Sequence, residues 1–323
     1  EIGRWQPDPV NPGQEAWGPA WGQLAPFALK SVDKFVPPPM PDVASPAYAT
    51  SYNEVKELGS IDSTLRTPEQ TEIGLFWAYD RVGLGTPLAL YNDALRAVAE
   101  QEGNTVEENA ELFAKASVAM ADAAIVAWDA KFAYDFWRPV TGIRDGDIDG
   151  NPLTEGDADW TPLGAPDGED AIGFTPPFPT YISGHATFGG AVFGSLIEFY
   201  GTDDIGFTLA SEELEILLAD AELQELFGLN LEDAERTFSS FSEAMAENGR
   251  SRVYLGIHWD YDDLVGQEVG VDVAEALFDR RFVAAKRPGH SQGLNAGRVP
   301  EPSAAALLMV GIAACIIWRR QRG

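Results

Sequence analysis

Residues 178–187 read Phe-Pro-Thr-Tyr-Ile-Ser-Gly-His-Ala-Thr and divide a proline-punctuated loop from a helix. Past Ser183 the chain runs through Gly184, His185, Ala186, Thr187 and Phe188 into small and apolar residues as far as Tyr200. That pattern predicts a helix starting at Ser183 or just before it. A helix start offers unpaired backbone N–H groups and a partial positive charge, so it is a ready site for an anion. Ser183 adds a hydroxyl, Gly184 lets a ligand approach the backbone, and His185 is one of only three histidines in 323 residues. The stretch therefore predicts a tetrahedral oxyanion at the helix start, with His185 moving protons beside it.

Working outward, the neighbouring segments also read as helices. Residues 52–58 form a short helix. Thr67-Pro68-Glu69-Gln70 is a helix start with a Thr cap, Pro at the first position and Gln at the third. Residues 88–101 form the next helix, broken by Gly103-Asn104. Asn104 or Thr105 then caps a long helix reaching about Trp137, where Arg138-Pro139 stops it. Residues 145–177 form a long loop dense in Asp, Gly and Pro. Further helices are expected over 212–226, 231–248 and 262–282. Strand signals are weak and no repeats occur, so the fold class is mainly α, a helical bundle with long loops. Residues 1–66 read as an arm rich in Pro and aromatic residues that packs on a helical domain over 67–285.

Composition narrows the partners. Hydrophobic residues at 45% and aromatics at 11% are ample for a core, while 22 basic against 51 acidic residues give a net charge of −29. That balance excludes nucleic acid and anionic membrane surfaces as natural partners. The single cysteine, Cys315, lies in the C-terminal apolar run, so the body has neither a disulfide framework nor a thiolate metal site. No signal peptide is visible, and the chain opens at Glu1 without Met, as it would after removal of one.

Three clusters carry chemistry. Lys131 and Arg138 are seven residues apart, two helical turns, among Phe132, Phe136 and Trp137. Ser183-Gly184-His185 is the second. The third is Ser251-Arg252 followed by His258 and Asp262, which are four apart, so the carboxylate can reach one imidazole nitrogen and raise the basicity of the other. Each alone has an ordinary reading, as solvated surface, a common helix cap or a helical ion pair.

Together, Lys-x6-Arg-Pro, Ser-Gly-His and Ser-Arg-x5-His-x3-Asp resemble the signature of the superfamily that joins type 2 phosphatidic acid phosphatases and vanadium-dependent haloperoxidases. Ile182 departs from it, standing where the family usually has Pro. Residues 119–139, Trp160-Thr-Pro-Leu163, Pro176-Pro177-Phe178-Pro179 and 252–262 look like bacterial and fungal vanadium haloperoxidases. The resemblance implies vanadate as cofactor, bound by Lys131, Arg138, Ser183, Gly184, Arg252 and His258, with His258 as vanadium ligand. It implies His185, His258, Asp262 and Lys131 as the catalytic set, and hydrogen peroxide, halide and a small organic acceptor as reactants. Trp128 and Phe178 match positions lining the halide pocket of chloroperoxidase relatives. Two other readings stay open: an acid phosphatase using His258 as nucleophile through a phosphohistidine, and a non-catalytic surface or matrix protein.

Two outlying features complete the reading. Asp145-Gly-Asp147-Ile-Asp149-Gly150 opens like an EF-hand loop, but its twelfth position is Gly156 where a glutamate is needed. After a polar spacer over 286–298, residues 299–323 read Val-Pro-Glu-Pro-Ser, a short apolar run and then arginines. They resemble a PEP-CTERM sorting signal. That implies an exosortase-type processing enzyme and a secreted or cell-surface location in a Gram-negative bacterium, with transient anchoring by a transmembrane helix. The 15 apolar residues from 304 to 318 fall short of the roughly 20 that span a bilayer.

Overall fold

A computed structural model describes residues 1–81, 83–166 and 173–279. The spacer and the PEP-CTERM-like tail lie outside the described residues, as does the end of the helix expected to reach Phe282. Ten α-helices are described: α1 Pro46–Leu58, α2 Pro68–Phe76, α3 Pro87–Glu102, α4 Val106–Tyr134, α5 Pro139–Arg144, α6 Gly184–Tyr200, α7 Glu212–Leu217, α8 Ala221–Phe227, α9 Phe241–Tyr254 and α10 Asp260–Phe278. Two short strands, β1 Phe207–Ala210 and β2 Glu235–Phe238, pair antiparallel with Phe207 opposite Phe238. Among the described residues no helix is long and apolar enough to cross a membrane.

Local signals account for the helix starts. Thr67 and Gln70 close the expected capping box on α2, and Thr105 with Glu108 closes another on α4. Ser183 caps α6 by accepting from the Ala186 N–H at 3.3 Å. Every residue of α6 from Gly184 to Leu196 is buried, which suits a helix that is apolar all round. It is the central rod of the bundle, packed between α4, α9 and α10. Its contact with α10 is of backbone on backbone. A Cβ on Gly190 would lie 2.3 Å from the Gln267 carbonyl oxygen, and one on Gly270 would lie 2.2 Å from that of Thr187. Only glycine permits so close an approach.

The helix expected over 52–58 begins earlier, at Pro46, behind the Ser45 cap, and three further expectations need correction. The long helix ends at Tyr134, not near Trp137, because Asp135 adopts a left-handed conformation at φ 52° and caps the helix. Arg4 pairs with Asp135 at 2.5 Å and the backbone at Arg4 bridges Phe136, drawing the chain out of the helix. Residues 212–226 split into two helices, with Asp220 capping the second. Residues 231–248 are not one helix but a 3-10 turn, β2 and the first half of α9. There Arg236 is held by ion pairs to Glu72 and Glu247, which favour the strand over a helix continued from residue 231.

The first 45 residues contain a single 3-10 turn, Trp21–Gln23, and follow the body closely. Trp5 and Trp17 donate backbone N–H groups to the carbonyls of Asp135 and Pro177, each at 2.8 Å. Tyr134 and Tyr181 donate their hydroxyls to the Pro37 and Pro38 carbonyls. The firmest clamp is Asp122 on α4, fully buried, whose carboxylate accepts the N–H groups of Phe27, Ala28 and Leu29 at 2.5, 2.9 and 2.8 Å. Charge-assisted bonds of this kind are roughly twice as strong as neutral ones. Asp122→Ala removes the shared carboxylate acceptor of these three N–H groups, of which that of Leu29 is buried, and is expected to cost about 3 kcal/mol. Urea unfolding checks this; an unchanged midpoint would show that the clamp adds nothing.

Candidate active site

Three cations are buried around the start of α6. Lys131, from the last turn of α4, is fully buried and donates from Nζ to the carbonyls of Pro179 at 3.1 Å and Thr180 at 2.9 Å. Arg138 does not share a helix face with Lys131, as the seven-residue spacing predicted. It sits beyond the helix end as the residue before α5, with Pro139 at that helix's first position. Its Nε donates to the Phe178 carbonyl and its Nη1 to that of Ile257. Arg252, on α9, is held from the other side by Asp80 at 2.9 Å. Burial lowers the Lys131 pKa well below its usual value, with the Arg138 charge adding to it. The same burial brings Arg138 down to about 9, so it remains a cation at neutral pH.

The two histidines have definite tautomers. His258 follows α9 and precedes α10, so the pair with Asp262 is not on one helix as expected, yet the contact forms. His258 Nδ1 lies 2.9 Å from Asp262 Oδ2, while Arg138 Nη1 lies 3.0 Å from Nε2. A guanidinium can only donate, so Nδ1 carries the proton and Nε2 the lone pair. Burial holds the His258 pKa well below 6.5, and the charges of Arg138, Lys131 and Arg252 push it the same way. His185 Nε2 is 3.0 Å from the carbonyl oxygens of both Trp77 and Ala78. Carbonyls only accept, so Nε2 bears the proton and Nδ1 is free to take another. Burial and the Arg252 charge keep His185 neutral too.

Asp262 does several things at once. Its Oδ2 accepts from His258, from the Thr180 hydroxyl and from the Trp259 N–H, and its backbone carbonyl accepts the Ser183 N–H at 3.1 Å. Burial raises its pKa to about 6, against the opposing pull of the Thr180 hydrogen bond and Lys131. Thr180 is fully buried and also lies 3.1 Å from His258 Nδ1. It was passed over in the sequence because its role depends on a carboxylate 82 positions further on. Asp80 was also missed; it follows Tyr79, whose φ of 49° turns the chain toward Arg252.

One cavity of about 200 Å³ joins these groups, with Gly184, His185, Arg252 and His258 on one side and Trp128, Phe178 and Phe188 on the other. Phe178 and Trp128 are 5.1 Å apart, and Lys131 Nζ lies 5.0 Å from the Phe178 ring centroid. The arginines at and behind this cavity have an acceptor deficit. Arg138 Nη2, Arg252 Nε and Arg252 Nη1 are buried and lack a hydrogen-bond partner among the described residues. Buried guanidinium N–H groups seldom go without an acceptor. Those donors, the α6 start and the neutral Nε2 of His258 fit a tetrahedral oxyanion of the vanadate or phosphate kind.

The family described as "VCPO second helical-bundle domain" matches residues 111–285, which carry all the site residues except Asp80 and the arm. The chain belongs to that family. Over 240 residues it is 40% identical to the vanadium chloroperoxidase of Curvularia inaequalis, a match covering 65% of this chain and 39% of that one. The crystal structure titled as the first bacterial vanadium-dependent iodoperoxidase aligns with a TM-score of 0.63 and 28% identity, over 86% of this chain and 60% of the other. A bacterial vanadium-dependent chloroperoxidase in its apo form shares the fold at a TM-score of 0.61 and 16% identity, over 87% and 63% of the two chains. The chain thus spans about two fifths of the curated relative and under two thirds of these solved structures.

The EF-hand-like loop has its carboxylates engaged at home. Asp149 accepts from Asn151 N and the Thr154 hydroxyl, and Asp147 from Gly156 N. Among the described residues no group of three or more His, Cys, Asp or Glu side chains is placed to hold a metal ion.

Thr180→Val keeps the shape and removes the hydroxyl from Asp262. Anion affinity, titrated with orthovanadate, is expected to fall by about tenfold, the cost of one charge-assisted hydrogen bond, and to return in Thr180→Ser. Equal affinity in all three proteins would remove Thr180 from the site. Separately, ¹⁵N spectra should find His258 still neutral at pH 6, below the 6.5 at which a free imidazole protonates; a His258 that titrates near 6.5 would contradict the burial argument.

Proposed function

We propose that this chain is a vanadate-dependent haloperoxidase, which oxidises halide with hydrogen peroxide to hypohalous acid that then halogenates a small organic acceptor. The observation that carries this reading is the junction of two unlike half-sites in one cavity. One is a cationic cradle with unpartnered guanidinium donors; the other is an aromatic wall of Trp128 and Phe178. The resemblance to proteins described as vanadium chloroperoxidase and iodoperoxidase supports the same choice.

In this reading Arg138 Nη2 and Arg252 Nε and Nη1 bind the oxygens of the anion, Arg suiting two-pronged contacts. The Ser183 hydroxyl and Gly184 N–H add hydrogen bonds, and His258 Nε2 supplies the ligating lone pair. Arg138 Nη1, now 3.0 Å from that nitrogen, must then release it and turn to the anion, because the one lone pair of Nε2 cannot serve both. When bound, vanadate supplies a Lewis acid that activates hydrogen peroxide toward attack by halide. His185 Nδ1, free and unprotonated, accepts a proton from the incoming peroxide and returns it to the leaving oxygen. Lys131 holds positive charge beside that oxygen, its other N–H groups fixed on the Pro179 and Thr180 carbonyls. Halide reaches the site across Trp128 and Phe178, and Phe178 favours a chloroperoxidase-like pocket. The PEP-CTERM-like tail supports passage to the cell surface through an exosortase-type enzyme.

The test is an assay of the vanadate-loaded protein with peroxide and each halide in turn. Halogenation that depends on vanadate is expected. Absence of halogenation with every halide, together with brisk phosphate-ester hydrolysis by the vanadate-free protein, would instead favour a phosphatase with His258 as nucleophile. His258→Ala should abolish stoichiometric vanadate binding. His185→Ala should retain the anion and lose roughly 10²–10⁴ in turnover, the usual worth of a general acid–base group. Tight vanadate binding by His258→Ala would mean that the ligating histidine is misassigned.

A further inference from the structure

The cavity has a third wall that the reading above leaves unused. Trp17 and Trp21 of the N-terminal arm line it together with His185, Arg252 and His258. Trp21 lies against Trp128 at 4.4 Å between ring centroids, and Trp17 meets Trp128 at 5.6 Å and Phe178 at 6.1 Å. Four aromatic rings from three distant parts of the chain therefore form one continuous surface. Trp17 is nonetheless 54% exposed. A large indole with half its area uncovered beside a cavity is a surface suited to another ring.

The arm is built into this position. Trp17 N–H is bonded to the Pro177 carbonyl, one residue before Phe178, and the Asp122 clamp grips residues 27–29. Two glycines flank the contact. A Cβ on Gly18, whose φ is +72°, would lie 2.7 Å from Trp128 Nε1, and one on Gly22 would lie 2.4 Å from the Asp129 backbone. Without both, the arm could not lie flat on α4 and the tryptophans would stand off the cavity.

We propose that Trp17 and Trp21 form a binding site for a flat, uncharged aromatic acceptor, phenol- or indole-sized, held beside the oxyanion cradle. It rests on the haloperoxidase reading for what befalls the acceptor; binding itself rests on the arm alone. Size, shape and charge define the class. A cavity of about 200 Å³ is smaller than the ~300–1,000 Å³ typical of drug-sized ligands and must also take the anion, so beside it there is room for no more than one ring system, lying out over the exposed face of Trp17. The wall is aromatic and offers stacking or edge contacts. A net charge of −29 disfavours an anionic acceptor, and the three buried cations disfavour a cationic one. The reaction is electrophilic substitution. A ring carbon forms the bond to halogen as the oxygen–halogen bond of hypohalous acid breaks. The proton displaced from that carbon joins the released hydroxide as water.

Indole is the probe, titrated calorimetrically into the full-length vanadate-loaded protein without peroxide. Saturable one-to-one binding is expected, weakened by about tenfold in Trp17→Ala, as loss of an aromatic contact with its buried area implies. Trp17→Phe should stay within about threefold of the parent. Trp21→Ala should also weaken binding. Thermal melts establish that each variant is folded. Absence of saturable binding, or equal affinity in the parent, Trp17→Ala and Trp21→Ala, overturns the proposal. Iodide oxidation assayed with no organic acceptor is read in parallel. If it is absent while indole binding follows the expected order, the haloperoxidase reading falls and the aromatic site stands.

Discussion

The structure depends on one residue, Asp262, holding two helix starts together through its backbone carbonyl and its carboxylate. Asp262 sits in the first turn of α10, and its carbonyl receives the N–H of Ser183, the cap of α6. Its side chain receives Thr180, His258 and Trp259. Deep in the bundle, Gly190 and Gly270 let α6 and α10 touch through their backbones, which fixes the spacing at the other end of the pair. The α6 start and the His258 imidazole are brought to one cavity by these contacts, with Lys131 buried behind the 178–180 segment. Without the glycines the helices would separate by the width of a side chain, and Asp262 could not serve both.

The electrostatics of the cavity follow from the same burial. Lys131, Arg138 and Arg252 are almost wholly removed from water, and the acids paired with them or placed beside them are Asp80 and Asp262. Buried charge without compensation is costly. Part of that cost appears as lowered proton affinity of Lys131 and both histidines. An oxyanion bound there, as proposed, would offset the remainder, so anion affinity and neutral imidazoles would have a common origin.

The residues of the site were more legible in the sequence than their arrangement. Lys131, Ser183, His185, Arg252, His258 and Asp262 were marked by the resemblance of their combined motifs to a known superfamily, since each cluster alone has an ordinary reading, and the structure brings them near one another. The helix starts were readable locally, since Thr67, Thr105 and Ser183 cap within three or four residues of themselves. Arg138 was found for a wrong geometric reason. Its helix ends early because Arg4, more than 130 positions away, captures Asp135, and no local pattern reports that. The small sheet was hidden similarly, since β2 owes its form to Arg236 pairing with Glu72 and Glu247 across the fold. Thr180 and Asp80 are ordinary residues until their partners arrive.

The arm divides labour along the chain. The groups placed for chemistry come from residues 131–262, inside a bundle whose helices touch through glycine and tolerate little change. Half of the aromatic wall comes from two tryptophans within the first 21 residues, which are bonded mainly through their backbone. Backbone bonds are indifferent to side-chain identity, so residues at these positions can change while the arm keeps its path. If the arm receives the acceptor as proposed, selectivity and reactivity can evolve separately: drift in a short, early segment would alter which molecules enter while the buried apparatus behind it stays as it is.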